Sequence, residues 1–141
     1  TNEMVASLQL ARMDAIRLNG RVKVCRSADG TKCEKGDLWA RWITLADTDR
    51  NGVAEVIRVA EAATPIELRA SANAVNSEIE FRADGRARKT DGTLLKANLG
   101  VCLPVATPAD NQRTITIASG SRVSTKSENK AGQCATPADP A

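Results

Sequence analysis

The chain is 141 residues long, 42% hydrophobic and 26% charged, which is enough for one domain with a real core and too little for two. A net charge of +3 is too small to imply a nucleic-acid partner by itself, and the absence of histidine removes the usual base for a Ser or Cys nucleophile. With two Trp, one Phe and no Tyr, burial has to come from Val, Ile, Leu and Ala, which favours strands rich in Val and Ile.

Residues 4–18 carry the pattern of an amphipathic helix. Met4, Val5, Leu8, Ala11, Ala15 and Ile16 fall on one face at helical spacings, with Glu3, Asp14 and Arg17 opposite, so the apolar face is expected to pack on a sheet. Leu10 and Met13 lie outside that stripe, toward the polar side, and two such residues close together point to a contact surface. Asn19-Gly20 ends the helix, glycine being the residue that takes a left-handed cap without steric cost. No capping box marks the start, because Met4 rather than Glu or Gln stands three residues after Thr1. The chain opens on Thr1 and has no apolar run of about 18 residues, so the expectation is a processed ectodomain whose helix continued upstream.

Beyond Gly20 the period changes from helical to alternating. Residues 22–33 read as a short hairpin, a strand pair closed by Cys25 and Cys33 with Asp29-Gly30 at its turn. Strands are expected at 21–26, 38–46, 55–59, 66–70, 78–82, 100–104, 113–118 and 121–125, with further turns at Asp84-Gly85 and Asp91-Gly92. One N-terminal helix on an antiparallel sheet makes an α+β domain over residues 1–134. The Ala- and Pro-rich tail, 135–141, is expected to be disordered.

The four cysteines fall as one close pair, Cys25 and Cys33, and one distant pair, Cys102 and Cys134. A four-Cys zinc site brings its ligands in two close knuckles, and there is no His to complete one, so disulfides are the expected state and an oxidising compartment goes with them. On the chain-entropy model the short loop stabilises by roughly 2.5 kcal/mol and the long one by roughly 3.5 kcal/mol.

Asp47-Thr-Asp49-Arg-Asn51-Gly52 matches positions one, three, five and six of a calcium loop, and Glu55 falls at position nine. Position twelve is Arg58 instead of a bidentate Glu, and strands flank the segment, so the preferred reading is a turn closed by its own Asp and Asn side chains. Arg82, Arg86, Arg88, Lys89 and Lys96, with Arg113, Arg122, Lys126 and Lys130, form a basic set of the kind that tracks phosphates. Only Phe81 lies among them for base stacking, and solvated charge is the default. Glu34 with Asp37, and Glu78 with Glu80, read as surface carboxylates. No catalytic residue and no cofactor are expected.

The helix, the Cys25-x-Ser27-x-Asp-Gly30-x-x-Cys33 segment, Trp39-x-x-Trp42 and the turn from Asp47 to Gly52, together with Ile79-Glu-Phe81-x-x-Asp84-Gly85, Cys102 and Ile115-Thr-Ile117, resemble the GspH/FimT family. That family holds type IV pilins and type II secretion pseudopilins, and the likeness is greatest to minor pilins of the FimU type. The resemblance implies a lollipop, with an apolar helix half upstream that prepilin peptidase exposes, that anchors the precursor in the inner membrane and that then packs in the fibre. It implies a periplasmic head that joins the extracellular pilus. Other minor pilins and the major pilin are the implied partners, with Leu10 and Met13 as contacts and with assembly priming or tip-to-shaft connection as the role. The alternatives within the family are a secretion pseudopilin and a DNA-uptake pilin. The latter is expected to show Gly-Arg-x-Arg, whereas this chain reads Gly120-Ser-Arg122-Val-Ser-Thr-Lys126; Arg113, Arg122 and Lys126 are its candidate DNA residues.

Overall fold

In a computed structural model the described residues are 2–49, 52–62, 65–89, 91–104, 111–118 and 122–140. Helix α1 (Asn2–Leu18) is followed by nine strands: β1 (Val22–Arg26), β2 (Arg41–Ala46), β3 (Glu55–Glu61), β4 (Glu67–Ala70), β5 (Glu78–Phe81), β6 (Ala87–Arg88), β7 (Ala97–Cys102), β8 (Gln112–Ala118) and β9 (Arg122–Glu128). They form two antiparallel sheets, ordered β3-β2-β1-β5-β6 and β4-β7-β8-β9. The expected α+β architecture, one helix against antiparallel sheet with disulfides Cys25–Cys33 and Cys102–Cys134, is present.

The helix packs on the five-stranded sheet. Val22 and Val24 of β1 pair with Ala46 and Thr44 of β2, and with Phe81 and Ile79 of β5, so these six side chains share the face turned to α1. Met4, Leu8, Ala11 and Ala15 lie against that face, fully buried, and burial of Met4 and Leu8 stabilises by roughly 1.5–3 kcal/mol each. The core continues without a break to Leu68, Leu99, Ile115 and Ile117 of the second sheet. One polar chain crosses it: Trp42 Nε1 donates to Ser7 Oγ at 2.9 Å, and Ser7 Oγ donates to Glu3 O at 2.9 Å, which leaves neither buried donor unsatisfied.

Several expectations are corrected. The helix buries the stripe Met4, Ser7, Leu8, Ala11, Asp14 and Ala15, so Asp14 is inside while Ile16, expected inside, is 49% exposed. Asp14 is admitted because a strand arginine meets it. The left-handed cap is Asn19, at φ +51°, rather than Gly20; Gly20 N–H donates to Ala15 O at 3.1 Å.

The pair Cys25–Cys33 does not close a strand pair. Cys33 lies in the irregular 27–40 connection, and the strand beside β1 is β2, with Cys25 opposite Ile43. The disulfide instead folds that connection over the far face of the sheet, where Cys25 and Ile43 are both fully buried outside the main core. β7 starts at Ala97, earlier than expected, and Gly100 sits inside it because a Cβ there meets the Gln112 side chain of β8 at 3.2 Å. β6, two residues long, is too short to carry a period and was not foreseen from the sequence.

Candidate functional site

On α1, residues Ala6, Leu10, Met13 and Arg17 follow at spacings of four, three and four and so share the outward face. All four are exposed, Leu10 at 40% and Met13 at 61%. The flanks of this stripe are fixed by two contacts. On the β3 side, Asp14 accepts from Arg58 Nη1 at 2.5 Å and from Arg17 Nη2 at 3.2 Å. Burial pushes the Asp14 carboxyl up, but the hydrogen bonds from the two arginines outweigh it and hold the group below the usual value. On the other side, Arg12 Nε donates to Gly85 O at 2.9 Å, and Ile16 lies over Gly85 so closely that a Cβ there would stand 2.8 Å from Ile16 Cδ1. These contacts hold the helix against the sheet, and the apolar stripe between the flanks is left facing outward.

The turn after β2 is closed by Asp47, whose Oδ2 accepts from Gly52 N–H at 2.8 Å, with Gly52 at φ +85°. Glu55 opens β3 opposite Ala46 and is exposed, Asp49 is exposed, and Asn51 lies outside the described residues. Among the described residues no group of three His, Cys, Asp or Glu gathers as a metal site needs.

The candidate DNA residues are spread out. Arg113 pairs with Ser127 and Lys126 pairs with Thr114, so Arg113 and Lys126 occupy alternate positions and point to opposite faces of the second sheet. The side chain of Arg122 lies outside the described residues. Of the basic residues near β5 and β6, Arg88 pairs with Asp84 at 2.8 Å and Arg82 with Glu80 at 3.4 Å, while Lys23 of β1 pairs with Glu78 at 3.0 Å. Among the sequence-selected carboxylates, Glu78 and Glu80 carry these ion pairs, and Asp37 binds Arg69 at 2.8 Å. Asp37 is drawn below the usual range by the Thr136 hydroxyl first and then by Arg69.

The outward residues of the second sheet, Asn98, Gln112, Thr114 and Glu128, are polar, and residues 133–139 lie across them, leaving an open groove of about 340 Å³. Thr136, Ala138 and Asp139 of the Ala- and Pro-rich tail take part in these contacts. Alternation of polar residues in 112–128 was the available signal for a covered polar face.

Residues 1–121 match the family model described as type II transport protein GspH. Two crystal structures of the type IV minor pilin FimU of Pseudomonas aeruginosa, in space groups P65 and P21, share the fold. Both are 18% identical to this chain and cover 92% of it, with TM-scores of 0.63 and 0.64; the alignments cover 95% and 90% of those chains. No curated protein matches in sequence.

Proposed function

The chain belongs to the GspH family, and from that premise we propose that it is a minor pilin of a type IV pilus, which primes assembly or connects tip subunits to the shaft. The observation that carries the reading is the outward stripe of α1. Leu10 and Met13 are left apolar and exposed on a helix whose two flanks are tied to the sheet by Arg58–Asp14 and Arg12–Gly85. A rigid helix with an apolar outer face suits packing against a neighbouring helix in a fibre. In this reading α1 is the lower half of a stalk whose apolar upper half holds the precursor in the inner membrane. Among the described residues no helix is long and apolar enough to cross a membrane.

The partners in this reading are other minor pilins and the major pilin. Leu10→Asp with Met13→Asp places two charges on the stripe without touching the core. The expected outcome is loss of surface pili and of co-purification with neighbouring subunits, with an unchanged melting temperature for the isolated head. Normal piliation and pull-down in the double variant would remove the stripe from the assembly surface. The same surface serves a secretion pseudopilin, and deletion strains scored for both piliation and type II secretion separate the two.

A further inference from the structure

The tail beyond Cys134 lies past the residues that the family model matches, and its seat is built in detail. Three tail residues are each held by one polar group: Thr136 Oγ1 donates to Asp37 Oδ1 at 2.6 Å, Ala138 O accepts from Asn98 Nδ2 at 2.9 Å, and Asp139 Oδ1 accepts from the Asn73 backbone N–H at 2.8 Å. Those three groups come from separate parts of the chain and are held independently of the tail. Arg69 Nε donates to Asp37 Oδ2 at 2.8 Å, Thr116 Oγ1 donates to Asn98 Oδ1 at 2.7 Å, and Asn73 Nδ2 donates to Lys96 O at 2.8 Å. The tail forms no strand: side chains and one loop amide seat it. This is how an extended, proline-containing segment is held when its backbone does not join a sheet.

We propose that the seat formed by Asn98 on the outer face of the second sheet and by the flanking loops that carry Asp37 and Asn73 is a binding site for an extended acidic peptide of the Thr-Pro-Ala-Asp kind, occupied in cis by this chain's own tail. A hydroxyl is taken by Asp37, a carbonyl by Asn98 and a carboxylate by the Asn73 amide. The Cys102–Cys134 disulfide fixes the chain two residues before Thr136 and so keeps the tail at high effective concentration over a seat made of a few exposed hydrogen bonds. A partner segment with the same three groups competes for the seat once it is presented at a comparable local concentration. The inference does not depend on the assembly role of α1, because Leu10 and Met13 contribute nothing to this face.

The test changes the occupant and leaves the seat intact. Thr136→Val with Asp139→Ala removes two of the tail's three contacts, and the full chain is titrated with the synthetic peptide of residues 135–141, followed by NMR at the Asn73 amide and the Asn98 side-chain amide. Saturable shifts are expected in the variant, with binding about tenfold weaker in the wild type, where the tethered tail competes. A peptide carrying the same two substitutions should not bind. Hydrogen exchange at the Asn73 amide should be faster in the variant than in the wild type. Equal binding to both proteins, binding to neither, equal binding of the substituted peptide, or equal exchange rates would each overturn the proposal.

Discussion

Asp14 shows how a carboxylate that looks like surface charge in the sequence becomes an interior group. Its helical position faces β3, where Arg58 points inward opposite Thr44, and the two meet at 2.5 Å with Arg17 closing the other oxygen. Arg58 could not be assigned to Asp14 from the sequence, because the two are 44 residues apart and the bulge between Thr44 and Leu45 decides which way β3 presents its side chains. Asp14→Asn is expected to cost about 1–3 kcal/mol at neutral pH in urea denaturation, since it leaves Arg58 and Arg17 without their charged acceptor. Because the folded pKa is below the unfolded one, this stabilisation is complete above the ordinary carboxylate value and disappears as the pH falls through the folded value. The wild type and the variant should therefore converge in stability in strong acid, and a gap that persists there would mean the cost is steric.

Between elements, the decisive contact is that of α1 with the turn joining β5 and β6. Asp84-Gly85 is legible in the sequence as a turn, but the helix resting on it is not: periodicity places Ile16 in the core stripe, and only the docked helix shows that it covers Gly85 from the flank. Gly85 is at φ +76°, a conformation that disfavours any side chain, and it also lies under Ile16. Gly85→Ala is expected to destabilise by about 1–3 kcal/mol, part backbone strain and part steric. Combined with Ile16→Ala in a double-mutant cycle, the steric part should be recovered and the strain should remain. Strictly additive losses would mean that Ile16 moves aside at no cost. The hairpin expected at 22–33 is absent for a reason that lies between elements. Two cysteines eight residues apart fit a strand pair and a folded-back connection equally, and the long-range pairing of β1 with both β2 and β5 leaves no edge for a second local strand.

Across the whole molecule, the 27–40 connection, which links β1 to β2 of the first sheet, also touches the second, and Arg26 organises it by donating to Leu38 O at 2.7 Å. Trp39 N–H then reaches Leu68 O of β4 at 2.7 Å. The two disulfides act on different parts of this arrangement. Cys25–Cys33 fastens the connection, and Cys102–Cys134 fastens the end of the chain to β7. Replacing each pair by alanines is expected to lower stability by roughly 2.5 and 3.5 kcal/mol respectively, measured by denaturation under non-reducing conditions. A larger loss from the shorter loop would show that the buried packing of Cys25 with Ile43 outweighs loop entropy. The sequence alone determined the helix, most strands, the α+β class, the two cysteine pairs and the family likeness, because periodicity, turn residues and cysteine spacing are local properties of the chain. Only the tertiary structure decided the split into two sheets, the burial of Asp14, the course of the 27–40 connection and the seating of the tail on Asp37, Asn73 and Asn98. Asp14 meets a partner 44 residues away and the tail meets partners 40, 66 and 99 residues away, and no local pattern specifies which distant group will complete a hydrogen bond or cover a face.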